Sequence, residues 1–302
     1  MKFFPMAVLA ICIFFCGEAC AQSPEDPYAE LWERIDGSTA TIPLTEAILM
    51  NRLGISALEA TGRIAHAKTY GAYAALFSGE KDLIFVPMPS QEELDAIVEE
   101  YTRRNRDPFE MPELSYKQVV KEGLVFIVNA ENPVKDVTSD QLRGIYAGQI
   151  KNWNEVGGAD AAIMPFQRNR DSGSQTAFLQ LLMKNHPPQS PIASLTHSSM
   201  GDLLEVVAAY DNRESAIGYS MYFYVTQMYG RENLRLLAVD GILPSEETIG
   251  AGDYPFVMGY YAVYRSDLPP DHPAQQLVAW LLSAEGQAVV QQAGYVPLGV
   301  EP

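Results

Sequence analysis

The segment Arg168–Phe178 has the composition of a site for a negatively charged ligand, with the sequence RNRDSGSQTAF leading into an apolar helical pattern. Ser172, Ser174 and Thr176 are residue types that begin helices, where free backbone N–H groups and the helix dipole attract an anion. The planar guanidinium of Arg170 can bind two oxygens of an oxyanion. These residues therefore predict noncovalent binding of an oxyanion, although a capped helix beside solvated arginines has the same composition.

Two further segments have the same character. Asp36–Leu44 is a hydroxyl-rich turn whose Pro43 is placed near the first position of a helix, where proline is tolerated. Lys68–Tyr73 contains Thr69, which we expect to cap the helix that follows. Either segment alone is also compatible with a capped surface helix, but three such starts in one chain favour a shared anion site.

Other chemistries find little support in the sequence. The histidines show neither H-x-x-x-H spacing nor an acidic partner pattern, so we expect no metal and no cofactor. Ser172-Gly173-Ser174 does not match a G-x-S-x-G nucleophile turn, so we expect no enzyme activity. The aromatic residues Tyr219 and Tyr222 are candidates for a cleft wall, with packing in the core as the alternative. The four histidines are His66, His186, His197 and His272.

The amino-terminal segment Met1–Ala21 predicts export. It has an early lysine, an apolar run over residues 7–15 and the small-residue triplet Ala19-Cys20-Ala21, a pattern typical of a cleaved signal peptide. The alternative is that Cys20 becomes a lipidated first residue. The three cysteines all lie in this segment, so the mature chain has no disulfide and no thiolate metal site. They are Cys12, Cys16 and Cys20.

The composition limits the partners. The chain has 302 residues, 47% of them hydrophobic, and a net charge of −17, which makes nucleic acid an improbable partner. Removing the signal segment takes away one basic and one acidic residue, so the charge is unchanged. Because this charge repels anions at long range, an anion site in this chain must depend on short-range hydrogen bonds. We expect a monomer.

Short apolar runs alternate with helical patterns, which predicts an α/β fold. The expected strands are residues 83–87, 124–129, 216–219 and 256–264. The expected helices are residues 44–53, 69–77, 91–103, 139–147, 176–183, 200–209 and 274–284. The chain is expected to cross between two lobes twice, near residues 116–123 and 220–226. The predicted segments are a signal peptide at 1–21, the first lobe at 22–118, the second lobe at 119–222 and a return to the first lobe at 223–302.

Several motifs, in order, resemble the phosphate-binding proteins of ABC transporters, members of the type 2 periplasmic-binding superfamily. Leu142–Asn154 is similar to the family segment L-x-x-I-F-x-G-x-I-x-x-W-N, and Arg170–Thr176 to its R-x-x-G-S-x-T turn. Ala216–Tyr219 matches the later A-I-G-Y strand. The resemblance implies a two-lobed fold with a mixed sheet flanked by helices in each lobe, and an anion held between the lobes.

The resemblance also implies site residues. Ala40–Pro43 resembles the family motif A-T-[FL]-P, which directs the Thr41 hydroxyl and the Thr41 and Ile42 amides toward the anion. Gln175 replaces a glycine of the family's G-S-G-T donors. The implied ligand-binding residues are Thr41, Ile42, Thr69, Arg170, Ser174, Gln175 and Thr176. Further candidates are Ser38, Thr39, Ser90 and Tyr219.

The sequence departs from the family after the strand at residues 83–87. Met88 or Pro89 stands where the family has an aspartate that accepts the proton of a protonated phosphate, and Ser90 is a possible neutral substitute. We expect a protein that captures phosphate for a membrane ABC permease. The alternatives are a binding or sensor protein for sulfate, an organophosphate or a small organic acid, and an exported phosphatase.

Overall fold

The computed structural model describes residues 28–103, 107, 110–169, 172–184, 186–190, 195–212, 214–229 and 233–299. Arg170, the predicted signal peptide and Cys20 lie outside the described residues. Within these ranges, no helix combines the length and apolar character needed to cross a membrane.

The helices of the described residues follow the predicted α/β pattern. In chain order they are α1 Ala29–Trp32, α2 Ile42–Leu53, α3 Ala57–Arg63, α4 Lys68–Ser78, α5 Gln91–Arg103, α6 Ser139–Tyr146, α7 Gly173–Ala177, α8 Met200–Ala208, α9 Glu246–Ala251, α10 Pro273–Leu281 and α11 Ala284–Gln292. Two π-helical segments occur, Phe178–Met183 directly after α7 and Tyr224–Tyr229.

The strands of the described residues are β1 Ile35–Gly37, β2 Leu83–Pro87, β3 Leu114–Asn129, β4 Asp136–Val137, β5 Met164–Pro165, β6 Gln167–Arg168, β7 Thr196–His197, β8 Ala216–Met221, β9 Leu234–Leu236, β10 Ala238–Val239 and β11 Val257–Arg265. Most of them join one mixed sheet with the order β1-β2-β11-β3-β8-β5, and β9 pairs with the far end of β3. Two small parallel pairs, β4 with β10 and β6 with β7, lie outside this sheet.

The strand β3 connects two separately packed halves of the molecule. Its residues up to Gly123 pair with β11, whereas residues 124–128 pair with β8. One hydrophobic cluster, here the first cluster, joins β1, β2, α2, α10 and α11. Another, here the second cluster, joins the far half of β3 with β8, α6, α8 and the π-helical segment Phe178–Met183. A third, smaller cluster packs α4 and α5 against β2. The chain therefore changes cluster within β3, at Gly123.

The second cluster extends further along the chain than the sequence analysis placed the second lobe. Leu237, Ile249 and Phe256 pack in the second cluster, although the predicted return to the first lobe was at residue 223. The pairing of β9 with β3 holds this segment beside the second cluster. The structure returns the chain to the first cluster through β11.

The predicted elements differ from the observed ones mainly at their ends. The strand at Leu83–Pro87 has the predicted bounds, whereas β3 begins ten residues earlier than position 124, at Leu114. The single helix predicted over residues 274–284 is wrong, because Ser283 caps a second helix by accepting a hydrogen bond from the Gly286 N–H. The helices α1, α3 and α9 were not predicted.

Candidate anion-binding site

The three helix starts singled out by the sequence lack a side-chain cap. The helices α2, α4 and α7 begin at Ile42, Lys68 and Gly173, and in none of them does the N-cap side chain accept a hydrogen bond from the first turn. Among the other described helices, only the four-residue α1 lacks such a bond. Side-chain caps are present at α3, α5, α6, α8, α9, α10 and α11.

An uncapped helix start has backbone N–H groups with no partner inside the helix, and these groups are available to an anion. The expectation that Thr69 caps α4 was wrong. Ala67 occupies the N-cap position, and Thr69 lies half-buried in the first turn of the helix. Asp36 instead ties this helix start to the end of β1, because its Oδ1 accepts hydrogen bonds from the N–H groups of Gly37 and Ala67 at 2.6 and 2.7 Å.

The residues Ser38–Thr41, here the first turn, connect β1 to α2. The turn packs tightly against β2, since the Phe85 carbonyl accepts hydrogen bonds from the Ser38 N–H at 2.9 Å and the Thr41 hydroxyl at 2.7 Å. Gly37 precedes it, and a Cβ atom there would lie 2.6 Å from the Phe85 carbonyl oxygen. Only glycine allows this approach.

The donors that the resemblance assigns to the first turn are engaged within the protein. The fully buried Thr41 hydroxyl has one proton, which lies within reach of the Phe85 and Ser38 carbonyl oxygens. The Thr41 N–H donates to Ser38 O at 3.0 Å, and the Ile42 N–H donates to Thr39 O. In this conformation these groups stabilise the turn itself.

Ser38 is the residue of the first turn with unused hydrogen-bonding capacity. It is 5% exposed, and its hydroxyl has no hydrogen-bond partner among the described residues. A buried hydroxyl without a partner costs about 1–3 kcal/mol, so a ligand that accepts its proton would relieve that cost. Thr39 is exposed at the surface of the turn.

His66 supports the first turn, a role that the sequence analysis missed. Its Nδ1 lies 2.8 Å from Ser38 O and its Nε2 3.3 Å from Thr45 Oγ1. Because a carbonyl oxygen only accepts, Nδ1 holds the proton in the neutral ring. Burial is the largest cause that lowers the pKa of His66. The contact joins residues 28 positions apart, so no local motif indicates it.

The residues Ser172–Thr176, here the second turn, form the start of α7. The Ser172 and Ser174 hydroxyls are buried and lie 3.0 Å apart, and Thr176 Oγ1 donates to Ser172 O at 3.4 Å. The first hydrogen bond of the helix joins Thr176 N to Ser172 O, so helix geometry provides no i−4 partner for the N–H groups of Gly173, Ser174 and Gln175.

The Gln175 side chain, the bulky replacement for a family glycine, folds back against the sheet. Its Oε1 accepts hydrogen bonds from the Arg168 N–H and the Tyr219 hydroxyl, and its Nε2 donates to Gln167 at 3.2 Å. Tyr219 is fully buried and stacks on Phe178 with ring centroids 4.5 Å apart. Tyr219 therefore braces the second turn from the core.

Arg168 places a cation beside the second turn, and no sequence motif had assigned a role to this arginine. Its Nε and one terminal nitrogen donate to the carbonyls of His197 and Ser198 at 3.1 and 3.0 Å. The other terminal nitrogen lies 3.5 Å from the Ser174 hydroxyl oxygen. The guanidinium is thus held beside the serine that the resemblance assigns to the anion.

No described carboxylate stands at the family's acidic position. Met88 follows β2 with its side chain 48% exposed. Ser90 caps α5, and both its N–H and its hydroxyl donate to Glu93, at 2.8 and 3.0 Å. The Ser90 proton is therefore engaged by a carboxylate in this structure. The described residues also contain no group of three or more metal-ligating side chains.

Comparisons with known proteins identify the fold and the family. The phosphate-binding proteins PstS of Bacillus subtilis and Borreliella burgdorferi are 29% and 27% identical over 60% and 58% of this chain. These alignments span 57% and 63% of the relatives' own length. An ABC-type phosphate transport receptor from Vibrio cholerae superposes with a TM-score of 0.63 at 21% identity, covering 87% of this chain and 98% of the receptor.

The structural match confirms the predicted two-lobed, type 2 periplasmic-binding fold. A family model described as a PBP superfamily domain matches residues 34–285, which is most of the chain. This chain therefore belongs to the PBP superfamily.

Proposed function

We propose that this protein binds inorganic phosphate, or a closely similar tetrahedral oxyanion, between its two lobes and delivers it to an ABC-type permease. The observation that carries the proposal is the absence of side-chain caps at α2, α4 and α7, the three helix starts that the sequence singled out. Helix geometry provides no i−4 partner for the first N–H groups of α4 and α7, and such groups suit an anion with oxygens directed to several sides, whereas at α2 the N–H groups of Ile42 and Leu44 are engaged within the protein. Similarity to phosphate-binding proteins PstS and to a phosphate transport receptor supports phosphate as that anion.

Each turn contributes different donors in this proposal. The first turn offers the Ser38 hydroxyl, and Thr69 lies at the start of α4, which Asp36 ties to the end of β1. The second turn offers the Ser174 hydroxyl, the N–H groups at the start of α7 and the guanidinium of Arg168. By family resemblance, Arg170 adds a second guanidinium. Hydrogen bonds to a charged group contribute about 1.5–3 kcal/mol each, so a few of them suffice for micromolar affinity.

The protein acts as a receptor and breaks no bond of its ligand. We propose that it is exported, that it works as a monomer in the periplasm or outside the cell, and that Cys20 is an alternative point of lipid attachment. Its partner is the membrane permease, and its net charge of −17 opposes binding to nucleic acid.

Calorimetric titration with phosphate tests the proposal. The ligand-stripped protein is titrated at two pH values, with sulfate as competitor. Ser174→Ala should raise the phosphate Kd about tenfold or more, because it removes one hydrogen bond to a charged ligand. Ser266→Ala, which removes an exposed hydroxyl, is the matched control and should leave the Kd unchanged. Absence of phosphate binding to the wild-type protein would reject the proposal.

A second candidate ligand is a fully ionised oxyanion such as sulfate. This alternative is favoured by Met88 and Ser90, because neither supplies a carboxylate that would accept the proton of a protonated ligand. Equal competition by sulfate in the titration would identify this ligand class. The remaining alternative, a phosphatase, predicts release of phosphate from a generic phosphomonoester, which the receptor should not catalyse.

A further inference from the structure

Glu122 is a buried acidic residue at the junction of the two clusters. It is 1% exposed and directly precedes Gly123, where β3 changes its pairing partner from β11 to β8. Burial of a carboxylate is costly unless hydrogen bonds satisfy it. Among the described residues no cation forms a salt bridge with it, so its hydrogen bonds must explain its position.

Backbone N–H groups from both sides of the junction satisfy the Glu122 carboxylate. Its Oε1 accepts hydrogen bonds from the N–H of Gly123 at 2.9 Å and from the N–H of Phe223 at 3.2 Å. The Tyr222 N–H also bonds to the carboxylate. Residues 222 and 223 directly follow β8 of the second cluster. Glu122 therefore fastens this segment to β3.

The aromatic ring of Phe223 continues the connection into the first cluster. Although its backbone follows a strand of the second cluster, its side chain packs in the first. The ring stacks on Tyr295 with centroids 4.0 Å apart and an interplanar angle of 6°. Stacked rings at this distance move together, because a shift of one ring opens a gap in a close-packed core.

Tyr295 carries the connection to the first turn. Its hydroxyl donates to the Ala40 carbonyl at 2.7 Å and forms a hydrogen bond with the backbone of Leu44, which lies near the start of α2. Burial raises the pKa of Tyr295, so the hydroxyl keeps its proton. The phenol therefore takes the place of the missing N-cap side chain at α2.

We propose that Glu122 is a positioning residue for anion binding: through Phe223 and Tyr295 it fixes the start of α2 relative to the second lobe. This inference rests on the proposed function, because α2 follows the turn that would contact the anion. Glu122 itself lies in the junction and acts on the ligand only through these two aromatic residues.

The positioning depends on the charge of Glu122. Burial raises its pKa to about 7, so the carboxylate gains a proton as the pH falls below neutrality. A charged acceptor makes stronger hydrogen bonds than a neutral one, so the link to Phe223 weakens on protonation. The other titratable groups that face the carboxylate are the phenols of Tyr222, Tyr260 and Tyr295.

The test is the ratio of phosphate Kd values of Glu122→Gln and wild type between pH 5.5 and 8.5. Ionisation of phosphate itself cancels in this ratio. We expect the variant to bind about fivefold more weakly at pH 8.5 and equally at pH 5.5, where both side chains are neutral. Glu247→Gln, the same change at an exposed carboxylate, should give a ratio of one throughout. A pH-independent ratio would overturn the inference while the proposed function stands.

Tyr295→Phe tests the route from Glu122 to the first turn. The variant keeps the ring that stacks on Phe223 and removes the hydroxyl that reaches Ala40. We expect the Glu122→Gln effect on phosphate Kd to disappear in the Tyr295→Phe background, because the link is already interrupted. Additive effects of the two substitutions would show that Glu122 acts by another route.

Amide hydrogen exchange of the ligand-free protein tests the link without any ligand. The protection factors of the Phe223 and Thr41 amides should fall together in wild type as the pH decreases from 8.5 to 6.5, and should stay constant over that range, which lies above the range in which His66 takes up its proton, in Glu122→Gln. Unchanged protection of Thr41 would overturn the inference. Because this readout needs no phosphate, it remains decisive if the proposed function fails.

Discussion

The first turn, Ser38–Thr41, and the second turn, Ser172–Thr176, differ in how they use their hydrogen-bond donors. In the first turn, the Thr41 hydroxyl and two backbone N–H groups bond within the protein, whereas the buried Ser38 hydroxyl has no partner among the described residues. The second turn has an uncapped helix start and a guanidinium beside Ser174. The first turn is stabilised by its own donors, whereas the second turn has helix-start N–H groups without an i−4 partner and a charge held beside Ser174.

This difference implies that substitutions in the two turns should affect different quantities. Changes in the first turn should alter mainly the free energy of unfolding, since its groups bond to β2. Changes in the second turn should alter mainly ligand affinity, because its charge and helix N–H groups face the proposed anion.

The largest effect should come from the glycine before the first turn. Gly37→Ala places a Cβ 2.6 Å from the Phe85 carbonyl oxygen and 2.8 Å from Thr41 Oγ1, so we expect the free energy of unfolding to fall by about 3 kcal/mol. Urea denaturation measures this free energy of unfolding. Gly62→Ala, on the exposed face of α3 with no atom near the new Cβ, is the control and should stabilise by up to about 1 kcal/mol. Equal stability of Gly37→Ala and wild type would refute tight packing of the first turn.

The next effect should be on affinity in the second turn. Arg168→Gln removes the guanidinium beside Ser174, and we expect the phosphate Kd to rise about tenfold, equivalent to about 1.4 kcal/mol. Titration calorimetry measures the phosphate Kd. Arg143→Gln removes a guanidinium that pairs with the exposed Asp140 on α6, and should change the Kd less than twofold. A wild-type Kd for Arg168→Gln would leave Arg170 as the cation of the second turn.

Two substitutions within the first turn should have opposite effects on stability. Ser38→Ala removes a buried hydroxyl without a partner, so the ligand-free protein should be as stable as wild type or up to about 1 kcal/mol more stable, while phosphate affinity falls. Thr41→Val removes the hydroxyl bond to Phe85 and should destabilise by about 1–2 kcal/mol. Thermal unfolding and calorimetry give the two quantities. Loss of stability in both variants would mean that Ser38 also serves the fold.

The sequence predicted those elements of the candidate site whose signals lie in neighbouring residues. Hydroxyl residues before an apolar helical pattern marked the starts of α2 and α7, and alternating apolar runs marked β2 and β8, because turns and helix starts depend on neighbouring residues. The predicted ligand contacts of Thr41, Ile42, Thr69, Ser174, Gln175 and Thr176 stay predictions.

The contacts that position the first turn could not be predicted, because their partners are distant in sequence. Thr41 and Phe85 are 44 residues apart, and Tyr295 and Ala40 are 255 residues apart. A lone histidine or a glutamate in an apolar strand has no periodic pattern that reveals its role. His66 and Glu122 acquire theirs only when the sheet brings distant segments together.

The smallest effect should be the response of the first turn to acid. Burial lowers the folded-state pKa of His66 below 6.5, the ordinary value for histidine, and Asp36 and Lys81 act on this pKa in opposite directions. A depressed pKa means that the unfolded chain takes up the proton more readily, so the stability contribution is present above pH 6.5 and is lost as the pH falls through the folded-state pKa. Protonation also gives Nε2 a proton, which it can donate to Thr45 Oγ1, while the Thr45 hydroxyl donates its own proton to Thr41 O at 3.1 Å.

Hydrogen exchange of wild type and His66→Gln at several pH values from 7.5 downward would detect this response. The wild-type protection factor of the Thr41 amide should fall in acid, and the variant should show a smaller fall. The second turn should respond equally in both proteins, because His197 is present in both and Arg168 stays charged. If the variant changed the acid response of α7 as much as that of Thr41, the two turns would form one cooperative unit, and the division between a self-stabilised turn and a ligand-directed turn would fail.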